Sequence, residues 1–445
     1  MPHCLLLESA KGMPTLGRFS FLTADPVKWF TFSNGAPDPF GQLASVQLEF
    51  STKLVPGLPP FQGGLAGLLT YELGHSFEQL PIAKFHSNDL PAVSFGLFDF
   101  VLAWDREVKT GWLISQGLPE QELGRRADAA VTRADQIIEL LSGEPTPFRR
   151  DVLSKPISTN VPPQFSIPKI RGLTSNFSRD DYLSAVDRAI EYIRAGDIFQ
   201  VNLSQQLRMP SGFSSVELYR RLKNSNPATF SSYLDLGSVQ IVSASPERLI
   251  ACRDGVLESR PIKGTRKRTG MPLVDLAAEA ELLASAKDLA ENAMIVDLVR
   301  NDLSRVCEDD SVEVTQFREI EKYESVLHLV SAIRGKLRSE LMSWDALQAI
   351  FPGGSVTGAP KIRAMEIITE IEQAARGAYC GAIGYVGLDG SMDFSILIRT
   401  VTAGGGWWQL PVGGAIVANS DPVQEYDETW VKAAGLIHAC SNHES

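Results

Sequence analysis

Excess positive charge is what this 445-residue chain lacks most: 42 Lys and Arg against 53 Asp and Glu leave a formal net charge of -11. A surface that grips nucleic acid needs clustered cations, so no nucleic acid is expected as a partner. Cysteine is scarce and scattered. Cys4, Cys252, Cys307, Cys380 and Cys440 are odd in number and form no CxxC pair, which argues for reduced thiols rather than a disulfide framework or a zinc site. No apolar run approaches the ~18 residues of a membrane span, and no basic region precedes the short apolar run at the N-terminus. No membrane association is expected, and a cytoplasmic location is. Among only six histidines no Ser-His-Asp or Cys-His arrangement stands out, and there is no internal repeat or low-complexity tract. What is present is ordinary globular composition, 44% hydrophobic and 21% charged, in a chain long enough for two lobes sharing a cleft. Such a cleft can be locally basic inside an acidic protein, so an anionic substrate stays open.

Residues 1–141 alternate short apolar runs with Gly and Pro punctuation, as in Gly17-Arg-Phe-Ser-Phe-Leu-Thr23, which suits strands of mixed or antiparallel sheets. Residues 120–141 read as a helix. Residues 142–170 carry Pro145, Pro147, Pro156, Pro162, Pro163 and Pro168, the texture of a linker or irregular crossover before a third segment, 171–445. There Ser178-Arg-Asp-Asp181 resembles a capping box and opens a helix with Tyr182, Val186, Ala189, Ile190 and Ile193 on one face. Gly196 ends it, and Ile198-Phe-Gln-Val-Asn-Leu-Ser204 alternates as a strand. Further strands are predicted at 239–244, 248–252, 378–388 and 393–402, with helices at 274–300, 323–338, 343–350 and 360–374. The fold class expected is α+β, with helices covering twisted sheets.

The chain is organised around Glu258-Ser-Arg-Pro-Ile-Lys-Gly-Thr-Arg-Lys-Arg268, where Lys263 stands between a proline-led turn and a glycine. Proline and glycine permit a sharp backbone turn and close approach of a ligand. The cations that follow, Arg266, Lys267 and Arg268, would disfavour a protonated Lys263 and so make it a candidate nucleophile; a solvated basic loop is the alternative. Glu247, in Ser243-Ala-Ser-Pro-Glu-Arg248, would lie near Lys263 if the intervening strands form a hairpin, an acid beside a nucleophile; otherwise it forms a surface pair with Arg248. Asp288 and Glu291 share one helix face, as do Glu425 and Glu428. If both pairs face one cleft they suit Mg²⁺; if not, they are solvated faces. Phe351-Pro-Gly-Gly-Ser-Val-Thr-Gly-Ala-Pro-Lys361 opens a helix with a glycine-rich turn able to receive an anion, but lacks the ending of a Walker loop. Val412-Gly-Gly-Ala-Ile-Val-Ala-Asn419 is a second such turn. Arg399 ends an apolar run and would need a carboxylate partner if buried.

Taken in order, these stretches closely resemble the chorismate-utilising enzymes, the group holding anthranilate synthase component I, aminodeoxychorismate synthase component I, isochorismate synthase and salicylate synthase. The likeness covers about residues 170–440 and, more weakly, the N-terminal segment through Leu6-Leu-Glu-Ser9 and Gly17-Arg-Phe-Ser20. Its long signatures are Ser243-Ala-Ser-Pro-Glu-Arg248, Pro261-Ile-Lys-Gly-Thr265, Ala290-Glu-Asn-Ala-Met-Ile-Val-Asp-Leu-Val-Arg-Asn-Asp302 and Gly354-Ser-Val-Thr-Gly-Ala-Pro-Lys361. The resemblance implies a two-lobed, β-sandwich-like assembly with a chorismate-binding domain at 171–445 and a tryptophan-type site in the N-terminal lobe, where strand packing is the simpler reading.

The resemblance also assigns roles. Glu291 and Glu428 would hold Mg²⁺, with Asp288 and Glu425 as direct or water-mediated helpers, and the metal would bind the ring carboxylate of chorismate. Arg399 and Tyr379 would hold the enolpyruvyl carboxylate, with Gly413 nearby and Lys432 close to the ring carboxylate. Gly264, Thr265 and Thr357 would line the substrate. Asp288 stands where Glu is frequent, and Ala415 where anthranilate synthases often have glycine. Water-adding members carry a lysine where this chain has Gln200. Anthranilate synthases have alanine at the position of Lys263 and histidine at that of Asn292, so amination at C4 is the activity implied. Lys263 would attack C2 while Glu247 protonates the departing C4 hydroxyl, and ammonia would then expel the lysine. Ammonia would come from a separate glutamine amidotransferase subunit, and the product would pass to an aminodeoxychorismate lyase. The rivals are an anthranilate synthase component I with an unusual loop and a catalytically silent regulatory relative.

Overall fold

Alternating apolar runs become strands, and the strands assemble into two sheets whose ladders, among the described residues, are all antiparallel. The computed structural model describes residues 1–9, 16–86, 90–144, 160–168, 170–323 and 326–441; Pro145, Pro147 and Pro156 of the expected linker lie outside them. The first sheet has 12 strands and runs from Thr110–Ser115 through Phe100–Asp105, Phe19–Thr23, Leu5–Glu8, Phe230–Asp235, Val239–Ser245, Thr400–Gly404 and Trp407–Ile416 to Gln200–Pro210 and beyond. The second has 10 and runs from Ile262–Lys267 through Val326–Lys336, Val256–Arg260, Arg248–Arg253, Met392–Ile396, Ala382–Gly387, Gly64–Leu69 and Val93–Phe98 to Lys28–Phe32. Strands from either side of 142–170 are neighbours in both sheets.

The sheets pack face to face, Leu5, Phe21, Val101, Leu234 and Ile241 of the first meeting Leu68, Phe98, Ile383 and Tyr385 of the second. Helices cover the outer faces. Pro39–Glu49, Ala286–Ser304 and Ser343–Ile350 lie over the second sheet, Ser215–Ser225 and Pro422–Cys440 over the first. Between them Arg179–Ala195 and Lys361–Glu372 bury Tyr182, Val186, Ile367 and Ile371 against Gln200–Pro210.

The capping signals act as read. Ser178 accepts from the Asp181 amide at 3.1 Å and donates to its carboxylate at 2.7 Å, and Gly196 closes the helix at φ 85°. Four expectations are corrected. The glycine-rich stretch 412–419 is not a turn: through Ile416 it belongs to the strand Trp407–Ile416, paired with Gln200–Pro210. No helix forms at 323–338 among the described residues: Val326–Lys336 is a strand paired with Val256–Arg260, Ile262–Lys267 and Glu313–Lys322. The predicted helix 274–300 is two, Pro272–Ala284 and Ala286–Ser304, because Ser285 leaves the helical region and caps the second by accepting from the Asp288 amide at 3.2 Å. The predicted strand 393–402 is broken between Met392–Ile396 and Thr400–Gly404, where Arg399 takes φ 53°.

Candidate active site

The hairpin of Arg248–Arg253 and Val256–Arg260 sets Arg248 opposite Arg260, which brings Glu247 beside Ile262 and Lys263 on the next strand. The Ile262 amide points at Glu247 Oε1 from 3.4 Å. The surface pairing of Glu247 with Arg248 does not form: Arg248 turns away to Glu258 at 2.9 Å and Asp393 at 2.8 Å. Glu247 is buried. Burial pushes its carboxyl up to about 7, against the opposing pull of Ser355, Lys263 and the Ile262 amide.

No sharp turn forms at Pro-Ile-Lys-Gly: Gly264, at φ 86°, sits inside the strand Ile262–Lys267 where its register shifts against Val326–Lys336, and its Cα faces Leu282 and Asp288. Lys263 Nζ donates to the Ser355 carbonyl at 3.2 Å and lies 3.8 Å from Glu291 Oε2. The two arginines that follow engage partners of their own: Arg266 pairs with Glu281 and Asp288, and Arg268 with Asp275. An acid, Glu291, is therefore the charged partner of Lys263, rather than the crowd of like charges expected from the sequence.

Two helices bring the remaining carboxylates together. Glu291 on Ala286–Ser304 is pushed up by burial, opposed by Lys263 and Lys287, with Asp288 and Glu428 adding to the rise. Glu428 on Pro422–Cys440 is pushed up by burial but held below the ordinary range by Lys432, Lys287 and Lys263. Glu425 is buried and pairs with Lys287 at 2.7 Å. Glu428 pairs with Lys432 at 2.7 Å, while Lys432 also donates to the Gly413 carbonyl at 2.8 Å. Asp288 sits at the rim with Arg266 at 3.2 Å. Glu291 Oε1 and Glu425 Oε2 are buried and have no hydrogen-bond partner among the described residues. Those open hard oxygens fit a divalent cation such as Mg²⁺. Among the described residues, however, no three carboxylate, histidine or cysteine groups already stand in a metal-holding arrangement, since lysines take the other oxygens.

The remaining groups lie on several elements around the cluster. Arg399 donates through Nη1 to the Lys432 carbonyl; burial lowers its pKa, opposed by Tyr379 and Glu428. Tyr379 is buried, and Thr357, fully buried, donates to the Gly353 carbonyl at 3.0 Å. Thr265 Oγ1 lies 2.8 Å from His328 Nδ1, and burial, aided by Arg399, holds that imidazole at about 4, hence neutral. Gln200 is fully buried with neither amide atom partnered among the described residues, and Asn292 accepts from Ser331 Oγ at 2.7 Å.

Lys263, Glu247, Glu291, Glu428, Glu425 and Lys432 thus form one cluster, with Tyr379, Arg399 and Gly413 on its wall. Sequence reasoning missed Lys287, Ser355 and His328. Lys287 adjoins Asp288 and Ser355 lies inside a quoted signature, so both were within reach; His328 was hidden by the helical reading of its strand. The segment Leu6-Leu-Glu-Ser9 lies apart, bordering a cavity of about 650 Å³ with Arg18, Arg248, Tyr385 and Asp393.

Residues 2–438 match the family described as chorismate binding enzyme. Aminodeoxychorismate synthase component 1 of Salmonella typhimurium is 38% identical over 458 residues, covering 99% of this chain and 94% of that protein. Anthranilate synthase component 1 of Streptomyces coelicolor is 37% identical over 441 residues, covering 99% and 84%. The crystal structure of anthranilate synthase component I from Streptococcus pneumoniae superposes with a TM-score of 0.80 at 30% identity, over 96% of this chain and 93% of that one. The chain therefore belongs to the chorismate-binding enzymes, of the type that includes the anthranilate and aminodeoxychorismate synthases.

Proposed function

We propose that this chain aminates chorismate at C4 with ammonia, yielding 4-amino-4-deoxychorismate through a covalent adduct of Lys263. The observation that carries the reading is an amine beside a buried carboxyl whose pKa is about 7, brought together where the Ile262 amide meets Glu247. The Lys263 amine attacks C2, the two ring double bonds shift from C1=C2 and C5=C6 to C1=C6 and C4=C5, and Glu247 gives its proton to the C4 hydroxyl, which leaves as water. Ammonia then attacks C4, both double bonds return to C1=C2 and C5=C6, the C2 bond to Lys263 breaks, and the new C4 ammonium returns a proton to Glu247. Lys432, Arg399 and Tyr379 suit the two substrate carboxylates. Glu291 and Glu428 would hold Mg²⁺, helped by Asp288 and Glu425, and the ion would supply positive charge for the ring carboxylate. Ammonia would reach the chain from a glutamine amidotransferase partner, in keeping with the component 1 names of the relatives.

The test is to supply the purified chain with chorismate, Mg²⁺ and an ammonium salt. 4-Aminobenzoate that arises only after an aminodeoxychorismate lyase is added is the expected result, with turnover lost in EDTA. Direct formation of fluorescent anthranilate would make the chain an anthranilate synthase instead, and absence of any Mg²⁺-dependent turnover would make it a silent relative.

A further inference from the structure

Behind the wall of the cleft lies a side chain that no sequence signal singled out. Arg376 is 2% exposed, yet every part of its guanidinium is engaged. Nη1 donates to the Val356 carbonyl at 2.9 Å and Nη2 to the Asn202 carbonyl at 2.7 Å. Nε and Nη2 grip the two oxygens of Glu372 at 3.0 and 2.6 Å. The plane lies over the Tyr71 ring at 4.8 Å and the Tyr379 ring at 5.9 Å. Glu372 is itself fixed by the Ser204 amide at 2.8 Å and hydroxyl at 2.9 Å.

What these contacts join is the point. Three successive carbonyls of the glycine-rich turn are each held: Ser355 accepts from Lys263, Val356 from Arg376, and Thr357 from the Asn202 amide. Arg376 is one peptide away from the anchor of the lysine, and its ring contact is with Tyr379 on the substrate wall. It touches neither the amine nor the open cleft.

We infer that Arg376 is a positioning residue, holding the turn beneath Lys263 and the Tyr379 ring in the places from which they meet the substrate. The inference rests on the reading of this cleft as the chorismate site. A planar fork can serve two carbonyls, a carboxylate and two rings at once, whereas a lysine cannot. A residue that served only to stabilise the fold would change the amount of active protein and leave the substrate KM where it was.

Arg376→Lys keeps the charge and removes the fork. We expect it to raise the chorismate KM about tenfold with ammonium as co-substrate, through the Tyr379 ring, and to lower kcat by about tenfold, through the displaced anchor of Lys263. Ser204→Ala, which removes one hydrogen bond from Glu372 and leaves Arg376 intact, should shift KM in the same direction by about two- to fourfold. Arg133→Gln, which breaks a remote ion pair with Asp25 and Asp99, should lower the thermal midpoint without moving KM. If Arg376→Lys does not fold, Ser204→Ala decides. Unmoved KM in folded variants overturns the inference while the functional reading stands. A parent chain that neither binds nor consumes chorismate overturns that reading, and the inference with it.

Discussion

A carboxyl that keeps its proton near neutrality can hand it to a hydroxyl leaving group, and burial gives Glu247 that property. The same burial carries a cost in stability. With a folded-state pKa of about 7, above the ~4.3 of an exposed glutamate, the folded chain retains a proton that the unfolded chain has released between those values. Stability therefore falls as pH rises across that window and is lowest above it. Glu247→Gln keeps the shape and removes the charge, so at pH 8 it should be more stable than the parent by about 1–3 kcal/mol, with the gain vanishing near pH 4. Urea unfolding at the two pH values measures this. Turnover should be lost in the same variant, and an equal stability at pH 8 would mean that burial does not hold the carboxyl up. Lys263→Ala addresses the other half of the pair: C4 amination should fall by about 10²-fold or more while chorismate affinity changes by less than about threefold. Titration calorimetry and product analysis separate the two, and undiminished amination would remove Lys263 from the mechanism.

At the scale of elements, the site depends on how closely the Lys263 strand lies on the helices beside it. A methyl group at Gly264 would sit 2.7 Å from Leu282 Cδ1 and 3.1 Å from Asp288 Cγ, at a φ of 86° that side chains resist. Gly270 has a similar φ of 79° but open space around it. Gly264→Ala should therefore lose about 1–2 kcal/mol more than Gly270→Ala in urea unfolding, because the two share the backbone strain and only the first has the clash. Equal losses would mean that Leu282 and Asp288 give way freely. A backbone irregularity here was legible in the sequence because Gly264 permits a positive φ, though it is a bulge in a strand and not the turn expected, and the carboxylate pairs were legible because spacing of three puts both acids on one helix face. The strand Val326–Lys336 was not legible. It is buried on both faces apart from its ends and Arg334, so the alternation that marks a half-exposed strand is absent. Ser285 hid the helix break for a different reason, since neither glycine nor proline marks it. Nor could local spacing reveal that Lys287 would meet Glu425, 138 residues away in the chain.

The whole molecule decides whether the site exists at all. Lys263 belongs to the second sheet, Gly413 to the first, Glu247 to the link between Val239–Ser245 of the first and Arg248–Arg253 of the second, and the other acids to two helices from opposite outer faces, so the cleft forms only when both sheets are complete. Each sheet draws interior strands from the N-terminal segment. Leu5–Glu8 pairs with Phe230–Asp235 in one, and Gly64–Leu69 with Ala382–Gly387 in the other. The contact between the sheets is built the same way, with Leu5, Phe21, Leu68 and Phe98 packed among Leu234, Ile241 and Ile383. A chain cut to residues 171–445 would retain every proposed catalytic and substrate-binding side chain but expose two strand edges and half of that apolar interface. Such edges pair with other chains, and the lost interface removes the force that joins the sheets. The truncated chain should therefore aggregate or melt without a cooperative transition, and should bind no chorismate, as read by calorimetric unfolding and ligand titration. A soluble fragment that melts cooperatively and binds chorismate would mean that the C-terminal strands close their own core, and that residues 1–141 are an addition to the site rather than part of its frame.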